Sequence, residues 1–465
     1  MALDVRFENC TVVTSEGRTG PGAAVGVRDG RIAAVGDPAA MASADQVVDC
    51  EGNVLVPGVV DAHIHARDPG DTHKEDWETA TRAAAAGGVT TVAAMPNTDP
   101  IVDRPGVLGE VFDRADDVAH VDFQQYAVLT GANTDRVRAL AEAGAVGFKV
   151  FLGTTVGGIE PPDDGDLHEA MGDVAETGLR VGVHEENDEV VAHYTAAARE
   201  AGRNRPIDHA RSRPVVAETE AVERTTLFAA DAGCPVHMVH VTSGSAAAAA
   251  ARAKARGVDV TAETCPHYLW FTEDVLTEVG NVARVNPPLR DEGEREGLWT
   301  ELRAGAIDCV TTDHAPHTDA EKGVDDPFGN TWASVSGFVG LETEVPAMLT
   351  FVDEGRLSLE RWVRLHSTRP AQIWGMYPRK GSLRVGTDAD FTVVDPERVW
   401  TLDRADLHSK STVTPFDGEQ FVGGVEATVV RGEVVYDRDV GVVGEAGHGE
   451  RVAVGPTESG RVDAD

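Results

Sequence analysis

The stretch LVPGVVDAHIH, residues 55–65, and the segment TATRAAAAGGVTTVAAM that follows it at 79–95 decide the fold. An apolar run ends in two histidines, an alanine-rich helical segment follows, and a second run rich in valine and threonine begins after Gly87-Gly88. That order predicts a strand, a crossover helix and a parallel strand. The texture continues with runs at 122–129, 145–152, 179–184, 235–241, 258–263 and 309–313, which with 55–65 and 90–95 make eight. Eight parallel strands with helices between them close as an α/β (β/α)8 TIM barrel, expected over residues 55–379, with its chemistry at the C-terminal strand ends.

Outside the barrel the texture changes. Residues 1–54 read as short alternating strands broken by turns such as Asp29-Gly30, and residues 380–437 repeat that pattern up to the turn at Arg431-Gly432. Two β-rich ends around a different middle predict a small composite β-sandwich domain formed from both termini. Residues 438–465, rich in glycine and charge, read as a flexible tail. The alanine-rich segment 246–256 reads as an ordinary helix.

The 465 residues carry 78 acidic against 41 basic side chains, a net charge of -37. Such a surface repels phosphate backbones and anionic lipid, which excludes nucleic acid and membrane as expected partners. Only six of the basic residues are lysines, and the carboxylates are scattered along the chain, a bias that resembles halophile proteomes. Five cysteines without a C-x-x-C pair give neither a disulfide framework nor a thiolate zinc site, and no leader or apolar span of about 18 residues is visible. A cytoplasmic protein is expected.

The strand ends carry the chemistry. His63 and His65 alternate on one strand and so face one side, while His184 and His240 end the fifth and sixth runs and Asp313 ends the eighth. Lys149 sits inside the apolar run Val146-Gly147-Phe148-Lys149-Val150-Phe151-Leu152, where an ammonium is costly to bury. One reading is a buried ion pair or a side chain reaching solvent. The other is a neutral amine that takes up carbon dioxide, so that the carbamate bridges two cations. The nine histidines at 73, 120, 168, 193, 209, 237, 366, 408 and 448 read as surface or packing residues. Cys265 and His267 flank Pro266 without a third group to orient them, which argues against a thiol nucleophile.

Val60-Asp61-Ala62-His63-Ile64-His65, the strand-embedded Lys149, His184, His240 and Thr312-Asp313-His314 resemble the cyclic amidohydrolases. The resemblance implies two divalent metal ions, usually zinc. His63 and His65 would hold one, His184 and His240 the other, with N6-carboxylated Lys149 bridging them and Asp313 as ligand of the first ion and proton shuttle.

Within that superfamily, H-x-H-x-R-x-P-G at 63–70, Met95-Pro96-Asn97-Thr98, Asn286 to Arg290, Asp313-His314-Ala315-Pro316-His317 and Gly340-Leu341-Glu342-Thr343 are similar to the dihydroorotases. This implies reversible closure of N-carbamoyl-aspartate to dihydroorotate in pyrimidine synthesis. Arg67, Asn97, Asn286 and His317 would hold the substrate, and backbone at Gly337 would touch the ring. A homo-oligomer or association with aspartate transcarbamoylase is the expected assembly. Two segments, Ser212-Arg213-Pro214 with Glu218 and Glu263 to Tyr268, look like allantoinase sequence instead, so an allantoinase or hydantoinase is the alternative reading. A non-catalytic scaffold is the third. For the ring-contacting loop, Pro327-Phe328-Gly329 and Ser336-Gly337-Phe338 both qualify, the latter preferred because it leads into Gly340.

Overall fold

A computed structural model describes residues 2–154 and 158–455. The eight runs form a closed parallel barrel. Val59–Ile64, Val89–Ala94 and Asp122–Gln125 pair in order, and Ala127–Val128, Phe148–Phe151, Val181–His184, Val236–Met238, Val260–Thr264 and Cys309–Val310 continue the sequence. The third strand is broken at Tyr126, whose amide still donates to Ala94. The ring closes where Ile64 bridges His314 and the His65 amide donates to the His314 carbonyl at 2.8 Å. Valine and alanine dominate these strands because both faces are buried, the inner against the opposite wall and the outer against helices.

Local signals set the helix ends. Asp76 caps Trp77–Ala86 through a reciprocal pair with Thr79, and Ser243 caps Gly244–Ala255. The second of these is the alanine-rich helix. Small residues serve it because Gly244 approaches Gly297 of Glu292–Ala304 so closely that any side chain would collide with backbone.

The run read as one strand over 55–65 is two. Val54–Pro57 belongs to the terminal sheet, and the chain passes into the barrel strand at Gly58, where a Cβ would overlap Thr90. Val54–Pro57 is also where the two termini meet. Its Leu55 lies opposite Val12 of the parallel Leu3–Thr14 and opposite Val393 of the antiparallel Phe391–Thr401. The resulting ten-stranded sheet has its own apolar core, with Phe7 and Phe391 edge to face at 4.7 Å.

The expectation of a flexible tail is corrected for residues 438–455. Gly441–Val442 adds to the terminal sheet, and the chain then runs beside the third barrel strand. Gly449 donates to Ala119, Phe123 to Glu450, and Val452 to Phe123. Val452 is fully buried with Val60, Ala62, Tyr126, Val146 and Trp374. Backbone pairing and one valine order a segment whose composition is that of a linker. Residues 456–465 lie outside the described part.

Candidate active site

The C-terminal strand ends bring the rare side chains together. His63 and His65 leave the first strand on the same side, with Nε2 atoms 3.3 and 3.1 Å from Oδ1 of Asp313. Ligand atoms of these three residues all lie within 4.8 Å of one another. Each histidine is held from behind through Nδ1. For His65 the partner is Oδ1 of Asn97 at 2.7 Å, and for His63 it is Oε1 of Glu263 at 2.6 Å. A carboxylate only accepts, so His63 carries its proton on Nδ1 and turns Nε2 to the cavity. Burial pushes His65 down to about 4, and Asp313 is held down at about 2 because His63 and His65 overcome the opposing effect of burial.

His184 is oriented the opposite way. Its Nε2 lies 3.0 Å from Oε2 of Glu186, which is itself clamped by Arg213 at 2.6 Å. Its Nδ1 therefore faces Nε2 of His240 at 2.9 Å. Burial keeps both rings neutral, His240 well below the usual histidine range. Lys149 is 1 % exposed, and its Nζ has no hydrogen-bond partner and no ion pair among the described residues. Burial alone pulls it down to about 8, against the nearby carboxylates. Neither the buried ion pair nor the solvent-reaching reading of Lys149 is realised.

Three of these positions, Arg67, His240 and Asp313, hold left-handed backbone, with φ of 60°, 42° and 47°. None is glycine, and such strain persists where the surroundings over-determine a functional geometry.

One cavity is lined by His63, His65, Lys149, His184, His240 and Asp313. Arg67, Asn97, Asn286, Ser336 and Gly337 complete its wall with Phe151. Arg67 is 3 % exposed, makes no ion pair among the described residues, and places Nη2 3.3 Å from Nε2 of His317. His317 in turn lies 3.0 Å from the Ser336 carbonyl, and the Ser336 hydroxyl 3.1 Å from Oδ1 of Asn286. The Ser336-Gly337 loop therefore lines the cavity. Phe328 of the competing loop is 53 % exposed and lies elsewhere. His314 turns away from the cavity, its Nδ1 accepting the Gly340 amide at 3.2 Å.

The family model "Amidohydrolase family" matches residues 54–435, a span containing every one of these residues. The chain belongs to the amidohydrolase family. Among curated relatives, an allantoinase of Rubrobacter xylanophilus is 40 % identical over 91 % of this chain and 92 % of its own length. An allantoinase of Deinococcus radiodurans is 40 % identical over 94 % and 96 %. The solved L-hydantoinase (dihydropyrimidinase) of Arthrobacter aurescens superposes with a TM-score of 0.93 at 34 % identity, covering 97 % of this chain and 100 % of that one.

These relatives overturn the dihydroorotase reading, and with it the place in pyrimidine synthesis, and nothing in them supports the expected transcarbamoylase partner. The physical reason lies in the motifs that suggested it. Asn97 spends its carbonyl oxygen on His65, and His317 is engaged with Arg67 and Ser336. Part of the polar grip read as substrate recognition is support for the site itself.

Sequence reasoning also missed the supports behind the histidines. His237, read as a surface or packing residue, is fully buried with Nε2 3.0 Å from Glu263. Glu186 was not singled out. The available signal was that Glu263 lies one residue from the end of the seventh strand, much as His184 ends the fifth, a carboxylate in a strand otherwise built of apolar residues and threonine.

Proposed function

We propose that this amidohydrolase opens a cyclic ureide by hydrolysis, as an allantoinase or hydantoinase-type enzyme. The observation that carries the reading is the meeting in one cavity of four imidazoles, Asp313 and a buried Lys149 without a hydrogen-bond partner among the described residues. The residues fit a pair of divalent ions. Nε2 of His63 is buried without a hydrogen-bond partner, the donors are nitrogen and carboxylate oxygen, and that set suits zinc. His63 and His65 would hold one ion and His184 and His240 the other. Asp313 would complete the first, and Lys149, whose amine burial pulls toward its neutral form, would bridge them once carboxylated. Bound there, divalent ions would supply an acidified water as nucleophile and Lewis-acid polarisation of the scissile carbonyl.

The remaining work falls to the chain. Asp313, ionised at neutral pH, accepts the proton released as water attacks the ring carbonyl and returns it to the ring nitrogen as the C–N bond breaks. Arg67 and Asn286 present N–H donors to the carbonyl oxygens of the ring and its substituent. His317, held neutral by burial and by the Arg67 charge, adds polarity without competing for that role. The amide at Gly337 borders the ring.

The test is zinc-loaded protein assayed in parallel with allantoin, hydantoin and dihydrouracil. Opening of allantoin or hydantoin is expected, and no turnover of any of the three would overturn the reading. Arg67→Met should raise KM and lower kcat/KM by roughly 10- to 100-fold, the loss expected for hydrogen bonds from a charged donor, with metal content unchanged.

A further inference from the structure

His63 and His65 share a strand and a cavity, yet what stands behind them differs. His65 leans on the neutral amide of Asn97 near the cavity mouth. Behind His63 runs a hydrogen-bonded chain that reaches into the barrel interior. Nδ1 of His63 lies 2.6 Å from Oε1 of Glu263, Oε2 of Glu263 lies 3.0 Å from Nε2 of His237, and Nδ1 of His237 lies 2.7 Å from the Thr261 hydroxyl. All four side chains are at most 1 % exposed, so no water competes for these bonds.

The chain has one self-consistent direction. Glu263 can only accept, so both histidines donate to it, His63 from Nδ1 and His237 from Nε2. Neutral His237 then has a free lone pair on Nδ1, which the Thr261 hydroxyl satisfies as donor. The same Glu263 oxygen that faces His63 also accepts the backbone amide of His240 at 3.3 Å, where the chain turns through left-handed backbone. One carboxylate thus fixes the ring of His63 and the backbone of His240, residues that face the cavity from strands far apart in sequence.

We propose that Glu263, buttressed by His237, is a positioning residue. It locks His63 in the Nδ1–H tautomer with the Nε2 lone pair aimed at the cavity, and so sets the affinity of the His63, His65 and Asp313 end of the site for its ion. The inference rests on the metal-site reading above. A purely structural role for Glu263 would leave the tautomer of His63 unaffected.

The experiment combines histidine 15N spectra of the metal-free protein with zinc titration against a competing chelator, for wild type and Glu263→Gln. Wild type should show His63 protonated on Nδ1 and bind about two zinc ions. The glutamine variant offers an N–H as well as a carbonyl to the ring. It should lose the fixed tautomer and hold the ion at the His63 end roughly 10- to 100-fold more weakly, the cost typical of removing the partner of a metal-binding histidine. The ion at the His184 end, tied to Glu263 only through the backbone amide of His240, should weaken less. Should Glu263→Gln not fold, His237→Leu keeps the carboxylate and removes its buttress, and a weakening of the same sign is expected.

Wild-type His63 protonated on Nε2, or unchanged zinc affinity in the folded variants, would overturn the inference while leaving the metal site standing. A wild-type protein that takes up no zinc would overturn both.

Discussion

At the scale of single residues, Lys149 gives the sharpest separation of stability from function. Its amine is buried with no hydrogen-bond partner among the described residues, so Lys149→Met removes an unfavourable group and fills the same volume. The metal-free variant should melt at the wild-type temperature or above it, while turnover disappears and zinc uptake falls. A clear loss of stability would instead show the amine to be structural. Asp313→Asn keeps shape and removes the proton acceptor, so kcat/KM should fall by roughly 10²- to 10⁴-fold, measured with saturating zinc. Residues of this kind were legible in the sequence because histidine, lysine and aspartate are conspicuous at the ends of apolar runs. Their orienting partners were not, since Glu263 lies 200 residues from His63 and Arg213 lies 27 from Glu186. No local pattern announces a hydrogen bond across the barrel.

At the scale of elements, two devices tie the barrel to the rest of the chain. The first is a buried ion cluster in which Lys380 pairs with Asp388 at 2.9 Å, with Asp390 at 2.6 Å, and with Asp122 at the start of the third barrel strand. Burial opposes the charge on Asp122, yet Lys380 and Arg431 hold its carboxyl below the usual aspartate range. Its contribution to stability is therefore present above the unfolded value near pH ~4 and lost as pH falls through the lowered one. Lys380 is raised by its three carboxylates against burial, so its contribution is present below the unfolded value near pH ~10.4 and lost as pH rises beyond. Asp390, pushed up by burial, offsets part of this at neutral pH. Lys380→Met should then cost about 3–5 kcal/mol at pH 7, because it strands buried carboxylates. The deficit in melting temperature should shrink below pH ~4, as those carboxylates take up protons.

The second device is the segment beside the third strand. Deleting residues 446–465 removes Val452 and the backbone bonds to Ala119 and Phe123, and should cost about 2–4 kcal/mol in denaturant unfolding. Most of the barrel strands were readable from apolar runs, because a strand covered on both faces has little else in it, although the third, Asp122–Gln125, buries three polar side chains. This segment was not readable, because its order comes from backbone pairing and from contacts with distant side chains such as Asp122 and Phe112, which composition does not encode.

At the scale of the whole molecule, the net charge of -37 opposes compaction, and salt shortens the range of that repulsion from about 10 Å at 0.1 M to about 3 Å at 1 M. Thermal stability should therefore rise between low and molar potassium chloride, and a melting temperature indifferent to salt would refute the halophile reading. No helix among the described residues is long and apolar enough to cross a membrane. The architecture and the clustering of the strand-end residues were legible together, since a closed parallel barrel brings every C-terminal strand end to one face. The choice of ring was not legible. Arginine and amide side chains are suited both to gripping a substrate and to bracing histidines, as Asn97 and Arg67 do here, and sequence alone does not say which.

The claim that this face hydrolyses cyclic ureides with bound metal is tested most directly by stripping the protein with a chelator, reconstituting it with zinc and bicarbonate, and following the opening of allantoin. The account predicts activity that vanishes on stripping and returns with about two zinc ions per chain. Ring opening that survives complete metal removal, or a fully reconstituted protein that leaves the ring intact, would contradict it.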